Sequence, residues 1–192
     1  MMITWFTADL HLGHKNIIEY TSRPFKSVEH MDEVLIDNWN RLVMEDDEVY
    51  VVGDFTLGGI DSFAKYVSRL NGFIHILPGS HDYHWTRKFH SVAEEYSRVL
   101  LHPPMITLEY KGYGDGHYPK SLTLCHYALR TWPKKIYGGA HIYGHSHGKL
   151  PPHGLSFDVG VDCWKYYPIS LGAVMREMED LQEEINSKKE SQ

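Results

Sequence analysis

Five short apolar runs in this chain each stop at an aspartate or a histidine, and that regularity constrains the fold more than any other feature. Residues 3–8 lead into Asp9-Leu10-His11, and residues 49–52 into Gly53-Asp54. Phe73–Leu77 is followed by Pro78-Gly79-Ser80-His81-Asp82, Ser121–Cys125 by His126, and Ala140–Tyr143 by Gly144-His145-Ser146-His147. In open α/β sheets ligands bind just beyond the carboxyl ends of the strands, so five such ends can converge on one crevice. Glycines beside the polar residues let the backbone turn sharply and approach a ligand closely.

Between the first strands the pattern is helical. Ser27 can cap a helix on which Val28, Met31, Leu35, Trp39 and Leu42 keep one face. Phe63, Tyr66, Val67 and Leu70 mark a second helix. Strands alternating with helices predict an α/β fold. The second half reads differently, with residues 105–110 and 121–125 as a hairpin across the Gly-rich KGYGDGHYPK and further short strands at 140–143 and 156–159. Ser170 can cap a last helix carrying Leu171, Val174, Met175, Met178, Leu181 and Ile185 on one stripe, as core or as a dimer surface. Its final ten residues are expected to fray. No linker or repeat divides the chain, so residues 1–192 are expected to form one domain.

Composition narrows the function. The chain has 192 residues, a formal net charge of -6 and 14 histidines. That charge argues against a binder of long nucleic acid, which needs clustered lysine and arginine. No apolar run is long enough for a membrane helix, and no basic segment with an apolar stretch opens the chain, so a cytoplasmic protein is expected. Cys125 and Cys163 are expected to stay reduced. Neither has a partner at zinc-ligand spacing, which disfavours a structural zinc protein.

Asp9, His11, Asp54, His126, His145 and His147 supply four imidazoles and two carboxylates, too many for one ion with open positions and suited to two. Mixed nitrogen and oxygen donors favour manganese, iron, zinc or nickel over magnesium or calcium. A carboxylate from the middle of the sheet, Asp54, suits the bridge between two ions.

The order D-x-H, GD, G-x-H-D, a lone His and G-H-x-H, carried here by ADLHLGH, VVGDF, PGSHD, LCHY and YGHSHG, resembles the calcineurin-like metallophosphoesterases. The leader DLHLGHKNI and the tail FDVGVDCWKYYPIS are similar to a compact phage and bacterial subgroup. The resemblance implies two facing mixed β-sheets flanked by helices, an αββα sandwich. It assigns Asp9, His11 and His147 to a first metal, Asp54 to the bridge, and His126 and His145 to a second. His81 would protonate the leaving alkoxide, with Asp82 orienting its ring. The implied activity is that of a dinuclear phosphoesterase, with manganese first among its metals. Metal-hydroxide attack on a small or nucleotide-type phosphodiester is the implied reaction.

One residue departs from the pattern. The family has Asn where this chain has Ser80, and that Asn donates an amide oxygen to the second metal. The Ser hydroxyl is shorter and a poorer donor, so a second site weaker than usual is expected, with Ser80 reaching the ion only through water. A non-catalytic metal-binding scaffold of the same fold is the competing reading. His14 and Asn16 are candidates for holding substrate phosphate or for opening the next helix. Arg23, Arg130 and His153 are candidates for phosphate contact, with a surface salt bridge as the alternative for either arginine. His30, His75, His90, His102, His117 and His141 are expected in packing or solvent, and Trp132, Trp164, Tyr166 and Tyr167 in the core.

Overall fold

A computed structural model describes residues 2–110 and 119–190. The turn of the expected hairpin, with residues 112–116 and His117, lies outside them. Strands β1 (Thr4–Thr7), β2 (Glu48–Val52), β3 (Phe73–Leu77) and β4 (Val99–Leu101) run parallel in the order β4-β3-β2-β1. The two-residue β9 (Ile169–Ser170) joins β1 antiparallel and completes a mixed sheet. A second mixed sheet takes the order β5-β6-β7-β8, from β5 (Met105–Glu109), β6 (Ser121–Cys125), β7 (Ala140–Tyr143) and β8 (Ser156–Asp158).

Alternation along β2 divides the core, because successive side chains leave a strand on opposite faces. Val49 and Val51 face α2 (Val28–Leu42), α3 (Ile60–Val67) and α4 (Tyr83–Phe89), where Met31, Leu35, Trp39, Phe63 and Trp85 are buried. Tyr50 and Val52 face the second sheet, in a layer holding Phe6, Leu77, Leu122, Leu124 and Ile142. The last helix, α5 (Leu171–Glu190), buries Val174, Met175 and Met178 in that same layer, so its stripe is core. Two facing mixed sheets flanked by helices are what the resemblance implies.

Caps fall where expected: Ser27 Oγ accepts the N–H of His30 at 3.2 Å, and Ser170 Oγ that of Ala173 at 3.3 Å. Strands β5 and β6 pair antiparallel as the expected hairpin, and the further short strands β7 and β8 join β6 in parallel. Helix α5 continues to Glu190, with Gln182–Asn186 and Lys188–Glu184 contacts at i,i+4 spacing. Sequence patterning missed β4, α4 and the single turn α1 (Ile17–Tyr20). Among the described residues no helix is long and apolar enough to cross a membrane.

Candidate metal centre

The five strand ends do meet. The bridge between Ala8 and Gly160 ties the end of β1 to the segment after β8, and so joins the two sheets at this end. Asp9 N–H donates to the Gly53 carbonyl at 3.0 Å, His11 N–H to that of Asp54 at 2.9 Å, and Gly144 N–H to that of His126 at 3.1 Å. Asp9, His11, Asp54, His145 and His147 all have positive φ, between 48° and 65°. Such backbone is costly for a side chain, about 1 kcal/mol or more per residue, and persists where the surroundings over-determine it. Close approach also demands glycine: a Cβ on Gly79 would lie 2.3 Å from Asp54 Oδ1.

Asp9, His11 and His147 form one group able to hold a metal ion, and Asp54, His126 and His145 form another. The Oδ2 atom of Asp54 lies 3.5 Å from His11 Nε2 and 3.3 Å from His126 Nε2, so it faces both groups. Both Nε2 atoms are buried without a hydrogen-bond partner in the structure. Buried polar atoms ordinarily find one, and two orphaned imidazole nitrogens aimed at one carboxylate oxygen fit a site built for cations. A third group, His11, His14 and His81, shares His11 with the first.

The rings are held from behind, which leaves one nitrogen free on each. His126 Nδ1–H donates to the Val52 carbonyl at 2.9 Å, so in the neutral ring the lone pair is on Nε2. His147 Nδ1 meets Asp162 Oδ2 at 2.7 Å. Arg23 clamps the same Asp162 through Nε and Nη2, both at 2.8 Å, and also donates to the carbonyls of Asp9 at 2.7 Å and Leu10 at 3.2 Å. Carboxylates behind ligating histidines fix ring orientation and raise basicity.

Burial pushes the Asp9 carboxyl up to about 7, a rise that the charges of His126 and His147 only partly offset. Burial works in the same direction on Asp54, but the His126 ring 3.3 Å away, with the charges of His126 and His11, holds it below the usual carboxylate range. Burial disfavours the His126 cation, and the nearby Asp54 carboxylate more than reverses that, raising it to about 9. His11 is pushed far down by burial and stays neutral, as a ligand must.

Several assigned roles change. Asp82 does not orient the His81 ring. Its buried carboxylate accepts the main-chain N–H groups of Asp54, Phe55, Thr56 and Gly79 and the indole N–H of Trp85, so it fixes the loop that carries Asp54. Ser80 Oγ donates to Asp54 Oδ2 at 3.1 Å, and the second group forms without it. His81 N–H donates to Asp54 Oδ1 at 2.8 Å, and its ring lies 5.0 Å from that of His11. Arg23 is neither a phosphate contact nor a surface ion pair, because its buried guanidinium is fully engaged by Asp162 and the two carbonyls. Asn16 is exposed and opens α1. Arg130 and His153 line a separate cavity of about 400 Å³ with Leu129, Tyr143, Leu150 and Pro151.

Asp158 and Asp162 were missed as site residues. Asp158 accepts the Ser146 hydroxyl and the Gly148 N–H, which pins the loop between His145 and Gly148. Both aspartates lie in FDVGVDCW, and their spacing after β8 was the available signal.

No protein-family model matches the chain. It is 28% identical over 184 residues to the Gene 66 protein of Mycobacterium phage L5, covering 85% of this chain and 88% of that protein. The crystal structure of a protein of unknown function, AQ665 from Aquifex aeolicus, superposes with a TM-score of 0.65 at 23% identity. It covers 94% of this chain and 100% of its own, which shows a shared fold. The uncharacterized protein MJ1445 of Methanocaldococcus jannaschii is 31% identical over 185 residues, covering 91% of this chain and 90% of that protein. At that identity and coverage, the chain belongs to the same protein family as MJ1445.

Proposed function

We propose that this protein is a dinuclear metal-dependent phosphoesterase acting on small or nucleotide-type phosphodiesters. The observation that carries the reading is the position of Asp54 Oδ2 between His11 Nε2 and His126 Nε2, each the centre of a three-residue ligand group. Manganese is the first candidate, and iron, nickel or zinc suit the same donors. Two bound dications supply positive charge for the phosphoryl oxygens and acidify an attacking water.

The protein's residues do the rest. Asp54 turns Oδ2 towards both groups, and its other oxygen is held by the His81 N–H. The His81 ring stands at the edge of the cluster, half-buried beside His11 and His14, where it can pass a proton to the departing alkoxide. Asp82 keeps the Asp54 loop in place, and Arg23 with Asp162 keeps Asp9 and His147 in place. A small substrate agrees with the net charge of -6, which offers no basic track for a long polyanion. Unpaired cysteines agree with a cytoplasmic setting.

A metal-binding scaffold without turnover is the second reading, favoured by Ser80, whose hydroxyl is bonded to Asp54. Metal-stripped protein given manganese, nickel, zinc or magnesium, with a bis-aryl phosphodiester and an aryl phosphomonoester, separates the two. Metal-dependent turnover of the diester supports the enzyme. No turnover with any metal, with Ser80→Asn equally inert, supports the scaffold.

A further inference from the structure

We infer that His14 is a positioning residue that sets the tautomer and orientation of His11, and through it the affinity of the first metal group. The inference rests on the proposed metal site. It starts from the tetrapeptide His11-Leu12-Gly13-His14, which folds back on itself. His14 N–H donates to the His11 carbonyl at 3.0 Å, closing a four-residue turn. Gly13 takes φ +76° at the third position, a conformation that glycine adopts readily and other residues rarely do. A Cβ on Gly13 would also crowd the Tyr66 hydroxyl, at 2.8 Å. Asp32 secures the turn by accepting the Gly13 N–H at 2.9 Å and the Tyr66 hydroxyl at 2.7 Å.

The turn brings the side chains of its first and last residues together. His11 Nδ1 and His14 Nδ1 lie 3.2 Å apart, both residues are at least nine-tenths buried, and the ring centroids are 5.3 Å apart. One of the two nitrogens must carry the proton. His11 Nε2 is the orphaned atom facing Asp54, so it is the nitrogen left for an ion, and its proton belongs on Nδ1. His14 then accepts through Nδ1 and carries its own proton on Nε2. His126 and His147 are held in the same way by the Val52 carbonyl and by Asp162. All three histidines thus have an acceptor behind the ring, and for His11 that acceptor is another imidazole. His14 is therefore assigned neither to substrate phosphate nor to a third ion.

Calorimetric titration of the metal-stripped full chain with zinc tests this, with tautomers read by nitrogen-15 NMR of the zinc-loaded protein. Wild type should show His11 protonated on Nδ1 and His14 on Nε2. His14→Ala should weaken one of two binding steps by about 10–100-fold and leave the other unchanged, the usual effect of losing such a partner. His14→Asn, which keeps an acceptor, should recover part of the loss and covers the case in which His14→Ala fails to fold. Two unchanged steps in His14→Ala would overturn the role of His14 and leave the dinuclear reading intact. A third ion in wild type that His14→Ala removes would overturn both. A wild type that binds one ion, weakened by His14→Ala, would overturn the dinuclear reading and keep the role of His14. No bound ion at all would overturn both.

Discussion

The Asp82 carboxylate accepts the main-chain N–H of Asp54 at 2.8 Å, and this contact ties the PGSHD loop to the residue that faces both metal groups. Five donors, four of them buried, converge on that carboxylate. Asp82→Ala should therefore destabilise the protein by about 3 kcal/mol or more, since each buried donor left unpaired carries its own desolvation cost. Asp82→Asn keeps one acceptor oxygen and should cost less. Chemical denaturation of both variants checks this, and a loss below about 1 kcal/mol for Asp82→Ala would contradict the structural role.

Asp162 stands between Arg23 and His147. Removing it frees the His147 ring and leaves the Arg23 guanidinium buried without its partner. Asp162→Ala should weaken the first metal group by about 10–100-fold and spare the second. Equal weakening of both steps in a calorimetric titration would mean that the variant loosens the whole cluster instead.

Ser80→Asn should strengthen the group of Asp54, His126 and His145. An amide oxygen reaches further than the hydroxyl now bonded to Asp54 and coordinates a cation directly. The expected gain is about tenfold, equivalent to about 1.4 kcal/mol. An unchanged second binding step would show that the serine does not limit this group.

His81→Ala should slow diesters with poor leaving groups by about 10²–10⁴-fold, the usual contribution of a positioned general acid. Activated aryl esters need no proton and should lose far less. Equal losses on both substrates would remove His81 from that role.

Asp9 and His126 give the metal-stripped protein a defined pH response. Both bind their protons more tightly when folded, Asp9 at about 7 against 3.8 and His126 at about 9 against 6.5. Their contributions are present below the unfolded values and are lost as pH rises through the folded ones. The Tm of metal-stripped protein should fall between pH 7 and 9. The rise in Tm produced by manganese should grow over that interval, because protons no longer compete with the ion. A manganese effect independent of pH would contradict the assigned ionisations.

All six residues of the two candidate metal groups were legible in the sequence because each lies within four residues of the end of an apolar run, and parallel strands bring their ends to one edge. Roles that depend on distant partners were not. Arg23 and Asp162 are 139 residues apart and no pattern joins them. Asp82 follows His81 immediately, which suggests a pair, yet the side chains serve different neighbours because the loop turns between them. The parallel pairing of β6, β7 and β8 was hidden because loops, not helices, connect them. Short elements such as β4 and α4 carry too few residues to show a period.

The shared position of Asp54 is tested most directly by counting bound manganese in wild type and in Asp54→Asn, by calorimetry and metal analysis on metal-stripped protein. Two ions per chain in wild type, with both binding steps weakened together in Asp54→Asn, is the predicted result. A single ion in wild type, or an Asp54→Asn variant that weakens only one of two steps, would contradict a carboxylate shared between two metals.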